Sequence, residues 1–173
     1  MTIMSLDIST KATGLAIHED SVLIHVECIT PTGGVWDRIS VIAQRVVDLY
    51  QEYKPDVIVT EEPEPAFVKN NIDVYRKLTI THGAIILGIH AAKGPEMITC
   101  TASHWRKLVG IKTGRGIKRE TLKKESIRVA KELYTDYAER IGSSDDKADA
   151  VLIGRAYWNE HAARAEKEYN WEE

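Results

Sequence analysis

Asp7 in MSLDIST, Glu61 in DVIVTEEP, and Asp146 with Asp149 in SDDKADAVL are the residues of this chain best suited to chemistry. Each stands at the end of an apolar run or on one helix face, where a bare charge is otherwise avoided, because an isolated carboxylate at the edge of a core costs several kcal/mol in desolvation. Four such groups in three segments point to a cation that they share. Hard carboxylate oxygens suit magnesium or manganese, and magnesium keeps much of its water and completes its shell with phosphate oxygens. The chemistry implied is metal-dependent attack on a phosphodiester.

The surrounding elements must bring these groups together. TIMSLDIS, TGLAIHE and VLIHVECI read as three strands joined by turns at Ser9 to Thr13 and Glu19 to Ser21, which is the spacing of an antiparallel meander. Ile39, Ile42, Val46, Leu49 and Tyr50 recur at helical spacing and predict a helix from about Val35 to Tyr53, stopped before Pro55. DVIVTEE is short, apolar and β-branched, as expected of a strand buried on both faces in a parallel arrangement, with Glu61 where it emerges. Pro63 and Pro65 cannot donate to a ladder, so EPEPAFVKNN reads as a loop before a long apolar helix from about Ile72 to Ala92. EMITCTA is a fifth strand candidate, followed by a short helix around Ser103 to Leu108 and a basic helix from about Lys118 to Tyr134. Ser143 or Ser144 is placed to cap the last helix, whose first turn holds Asp145 and Asp146 and whose one face carries Asp146 and Asp149, three apart. This order predicts an α/β domain with a mixed five-stranded sheet, antiparallel meander plus parallel strands, flanked by helices. Asp7 and Glu61 then meet at one sheet edge if their strands are neighbours.

Composition narrows the setting. A chain of 173 residues fits one domain spanning 1–173 and is long enough to bury about 70% of its unfolded surface. Cys28 and Cys100 lack zinc or thioredoxin spacing and read as reduced core thiols, and no histidine pair has the spacing of a helical zinc site. No basic-then-apolar stretch opens the chain and no apolar run reaches membrane-spanning length, so a soluble, cytoplasmic protein is expected. The formal net charge of -3 hides a polarised distribution, since Trp105 to Lys131 holds ten Lys or Arg against two Glu. A solvated helix face accounts for most such runs, but here Gly110, Gly114 and Gly116 interleave the charges, which favours a polyanion-binding face beside the acidic centre.

LDISTKATGLAI, PDVIVTEEP and DDKADAVLIGRA, in that order, resemble the RuvC family of Holliday junction resolvases, within the ribonuclease H-like superfamily. The likeness is closest to the short versions carried by bacteriophages, where HWRKLVGI before a Lys-rich helix is also familiar. It spans nearly the whole chain. The resemblance implies a ribonuclease H-like fold and a structure-specific endodeoxyribonuclease. Such an enzyme resolves Holliday junctions, and with them other branched DNA such as forks and flaps, by two-metal-ion hydrolysis that leaves 5′-phosphate ends.

Carried over by position, the metal-binding and catalytic acids fall on Asp7, Glu61, Asp146 and Asp149, with two Mg2+ or Mn2+ ions per site. Glu62 and Asp145 are the neighbouring alternatives, which a one-residue change of register would present instead. Lys124 matches a family lysine near the active site, which implies a role in balancing transition-state charge or holding the scissile phosphate; plain backbone contact is its other reading. Lys107, Lys118, Arg119 and Lys123 are expected to bind flanking phosphates. The loop after Glu61 carries two residues more than in better-known members, and its Phe67 either stacks on an unpaired base at the branch point or closes a small satellite core. Resolution needs two cuts, so the family implies a homodimer, with ITITHGAIILGIHAA either the dimer contact or a helix buried within the monomer.

Two other functions share these residues. A ribonuclease H acting on RNA and DNA hybrids would use the same acids, and a catalytically weak branched-DNA binding protein would retain the basic helix. An ATPase of the actin or sugar-kinase class shares the opening strand but needs two such domains, for which the chain is too short.

Overall fold

A computed structural model describes residues 1–63 and 71–169 of the protein. The first three strands are β1 (Thr2–Asp7), β2 (Thr13–Glu19) and β3 (Val22–Ile29), and they form the expected antiparallel meander. Helix α1 (Val35–Tyr53) follows and stops where Lys54 turns left-handed at φ 45°, just before Pro55. Strand β4 (Val57–Glu61) pairs parallel with β1, and β5 (Met97–Cys100) pairs parallel with β4. The sheet order is therefore β3-β2-β1-β4-β5, mixed and five-stranded as predicted.

Strand alternation divides the core in two. Met4 and Leu6 of β1 and Ile8 just after it, with Leu15, Ile17 and Ile58, face one side. There they pack against Ile42, Val46 and Leu49 of α1 and Ile85 and Ile89 of α2 (Ile72–Ala91). Ile3, Ala16 and Val59 face the other side, beneath α6 (Asp145–Tyr169), which contributes Ala148, Ala150, Val151, Leu152, Ile153 and Ala156. Helices α3 (Ala102–Leu108) and α4 (Arg119–Leu133) flank α6 and add Trp105 and Ala130 to this second core, and the short α5 (Ala138–Ile141) adds Ile141.

Two local rules fix the elements nearest the acids. Of the two candidate caps, Ser144 is the one used: its Oγ accepts the backbone N–H of Lys147 at 3.2 Å. The small residues of α6 let it lie almost on the sheet, so a Cβ on Gly154 would come within 2.6 Å of the His18 ring. Helix α2 is amphipathic in its packing, with Ile85 and Ile89 buried and Leu87 70% exposed, so it is not enclosed within the monomer. None of the described helices is long and apolar enough to cross a membrane.

Candidate active site

The parallel register of β1 and β4 sets Leu6 opposite Thr60, and the Thr60 hydroxyl donates to the Leu6 carbonyl at 3.0 Å. One residue further along, Asp7 and Glu61 end adjacent strands on the same edge. Asp7 also faces Gly14 across β1 and β2, and Gly14 lies directly beneath the carbonyl of Asp146. The sheet thus supplies two acids from below while α6 lowers Asp146 and Asp149 onto them. Three distant segments converge on one end of the molecule.

Electrostatics report the crowding. Burial pushes the Asp7 carboxyl well above the usual range, and the negative charges of Asp149, Glu61, Asp146 and Asp145 push it further. Asp149 is raised to about 6, first by burial and then by Glu61 and Asp145, against the opposing pull of Ser126 and Arg106. Ser126 faces Asp149 from α4, although its buried hydroxyl makes no hydrogen bond of ordinary geometry. Asp146 is raised by burial and by Asp145, while Lys123 and Arg119 pull it back.

Two residues that the sequence reading assigned to no role in the centre complete it. The guanidinium of Arg106 stands between two of the acids, with Nη2 3.5 Å from Asp149 Oδ2 and 4.0 Å from Glu61 Oε2. Beside it the indole N–H of Trp105 donates to Glu61 Oε2 at 2.7 Å. Arg106 also lies over the Trp105 ring, 4.4 Å from its centroid. Both residues sit in the short helix that follows β5, and the pairing of Glu61 with Cys100 brings that helix alongside the acid. Their signal in the sequence was the WR pair of HWRKLVGI, which merges there with a longer basic run.

The remaining sequence candidates separate cleanly. Glu61 is half-buried at the strand end, whereas Glu62 is exposed and gives its backbone N–H to the Cys100 carbonyl at 2.8 Å. Asp145 pairs with Lys123, and Asp146 acts more strongly on Asp7 than Asp145 does. On α4 it is therefore Lys123, one residue before Lys124, that reaches the acidic cluster; Lys124 is exposed. Lys107, Lys118 and Arg119 are exposed, and Lys107 lines a broad groove of about 880 Å3 together with Thr101, Ser103, Lys112 and Thr113. Phe67 lies outside the described residues.

This architecture can be compared with solved structures. RuvC of T. thermophilus, in complex with Holliday junction substrate, superposes with a TM-score of 0.75 at 14% sequence identity, over 94% of this chain and 96% of that one. The RuvC fold is present. The yeast mitochondrial Holliday junction resolvase Ydc2 matches with a TM-score of 0.57 at 15% identity, over 96% of this chain and 83% of that one. The fowlpox virus resolvase, in complex with its substrate Holliday junction DNA, matches with a TM-score of 0.52 at 21% identity, over 92% and 98% respectively. No protein-family model and no curated protein matches the sequence.

Within the RuvC fold, the donor set at the sheet edge fits a hard divalent cation. All four groups are carboxylates, Asp149 Oδ1 is buried without a hydrogen-bond partner, and Asp7 is held in a field of like charge that a cation would relieve. Among the described residues, no three donors already stand close enough to form a closed coordination shell. Arg106 instead supplies positive charge between Glu61 and Asp149.

Proposed function

We propose that the protein is a structure-specific endodeoxyribonuclease that resolves four-way DNA junctions, and related forks and flaps, by metal-dependent hydrolysis. The convergence of Asp7, Glu61, Asp146 and Asp149 from β1, β4 and α6 carries this reading. The RuvC fold and the junction substrates of the solved RuvC and fowlpox virus resolvase structures support it. Asp7, Glu61, Asp146 and Asp149 would hold two Mg2+ or Mn2+ ions, whose chemistry is to lower the pKa of a water and neutralise charge at the phosphorus centre.

The chain's own residues bind and orient. Lys107, Lys118 and Arg119 are exposed, with Arg119 near enough to draw down Asp146, and in this reading they bind the phosphates that flank the scissile bond. Lys123 reaches the acids through Asp145. Exposed Lys124 is placed to meet substrate rather than the carboxylates. Phe67, in the segment after Glu61, is the candidate for stacking at the branch point. Hydrolysis would leave a 5′ phosphate without a covalent enzyme intermediate.

A single active site cuts one strand, and resolution needs two symmetrical cuts. A two-fold dimer meets that need, and the apolar face of α2, where Ile80, Ile86 and Leu87 are exposed, is its contact in this reading. In this reading, which rests on the likeness of the motifs to short phage-borne resolvases, the enzyme would act in the cytoplasm of a bacterial host.

The test is Asp7→Asn assayed on four-way, three-way, fork and RNA–DNA hybrid substrates. Loss of magnesium-dependent cleavage of the junction with binding retained is the expected result. Undiminished nicking by Asp7→Asn, or preferential cutting of the hybrid by the unaltered protein, would overturn the proposal.

A further inference from the structure

We propose that Trp105 is a positioning residue for the acidic centre: its indole N–H fixes the carboxylate of Glu61 and thereby sets the affinity of the site for divalent cations. The inference rests on the reading of the four acids as a metal centre and extends it to a residue that touches neither metal nor DNA. Trp105 is fully buried, with 0% of its surface exposed, and its Nε1 donates to Glu61 Oε2 at 2.7 Å across 44 residues of sequence.

The geometry is over-determined. Helix α3 begins two residues after Cys100, the strand partner of Glu61, and Thr101 caps it by accepting the His104 N–H at 3.3 Å. The first turn of α3 therefore delivers position 105 back to the carboxylate. The ring is packed within the core that also holds Val59, Ile111 and Ile153, and Arg106 covers it from outside. A side chain so confined cannot swing away, so its donor atom is a fixed point against which Glu61 is oriented.

The chemistry of indole suits the task. It is a donor only and neutral at every pH, so it can hold a carboxylate without competing for the positive charge that a metal brings. Arg106, 4.0 Å from the same oxygen, is itself a cation and does compete. A hydrogen bond to an ionised carboxylate is also short and strong, which suits it to hold the Glu61 carboxylate in one orientation. Outer partners of this kind, when removed, typically weaken metal binding about 10- to 100-fold.

Two variants separate the hydrogen bond from the packing. Replacing Trp105 with benzothienylalanine keeps the size and shape of the ring and removes only the N–H; Trp105→Phe removes the donor and part of the volume. Calorimetric titration with Mn2+ should show about 10- to 100-fold weaker binding for both, with the melting temperature of the metal-free benzothienylalanine protein close to that of the unaltered chain. A reporter protein carrying Trp36→Phe, Trp158→Phe and Trp171→Phe leaves Trp105 as the sole indole, and its emission should change with the same midpoint as the calorimetric curve. Unweakened Mn2+ binding in the folded benzothienylalanine protein, or a silent reporter in a chain that takes up Mn2+, would sink the inference while leaving the metal centre intact. Should neither ring variant fold, the reporter decides alone. Absence of any Mn2+ uptake by the unaltered protein is a distinct result, which removes the metal centre and the role of Trp105 with it.

Discussion

Gly14 and Asp146 touch backbone to backbone: a Cβ placed on Gly14 would lie 1.9 Å from the Asp146 carbonyl oxygen. Gly14 is also the strand partner of Asp7, so the absence of one methyl group allows α6 to bring its acids down beside β1.

Gly14→Ala should therefore damage both stability and the acidic centre. The clash is with backbone, which cannot rotate away, so α6 must shift at a cost of about 2–3 kcal/mol. For a domain of this size that corresponds to a fall of roughly 5–10 °C in melting temperature. Mn2+ affinity measured by calorimetry should fall with it, because Asp146 and Asp149 move together with the helix.

Asp7→Asn should stabilise the metal-free protein while abolishing its response to metal. A carboxylate whose folded pKa lies above its unfolded value, about 4, binds more protons in the native state. Its penalty is absent at low pH and grows as pH rises through that window. Asp7 is raised well above its ordinary value and Asp149 to about 6, so both penalties are large at pH 8. His18 and His82, held neutral by burial at about 3 and about 4, act oppositely and lose stability below about pH 6.5. They are common to both proteins and cancel in the comparison. At pH 8 the metal-free variant should melt a few degrees higher than the unaltered chain, the gap should narrow at pH 5, and Mn2+ should raise only the unaltered chain.

Arg106→Gln tests the compensating cation. Without it, Glu61 and Asp149 face each other with no guanidinium between them. The metal-free variant should melt lower than the unaltered protein, and Mn2+ should raise its melting temperature by more, because the ion then replaces a charge that has been removed. An equal Mn2+ increment in both proteins would show that Arg106 does not offset the acids.

Lys118, Arg119 and Lys123, replaced together by Ala, should weaken binding to every branched DNA alike. The slope of log affinity against log salt should shallow by roughly 0.9 for each phosphate that the protein no longer neutralises. Because Lys123 pairs with Asp145 and Arg119 draws down Asp146, the same variant should also raise the pH needed for full activity. Filter binding across a salt series and a pH profile of junction cleavage read the two effects separately.

The sequence by itself determined the long elements and their order, though not the short α5. Apolar spacing marked α1 to the residue, β-branched runs marked the strands, and the end of each acid-bearing run marked Asp7 and Glu61 as edge positions. These signals are local, arising from side-chain period, capping and proline, and so are legible in one dimension. Tertiary structure decided everything that depends on which elements touch. The register of β4 against β5 set Glu61 at the paired strand end and left Glu62 exposed beyond it, the packing of α4 on α6 brought Lys123 to Asp145, and the turn from β5 into α3, which packs on α6, placed Trp105 and Arg106 on a carboxylate 44 and 45 positions earlier in the chain. A charged run looks the same in sequence whether a given guanidinium meets solvent, phosphate or a buried acid, because the difference lies in burial and in partners that only long-range packing supplies.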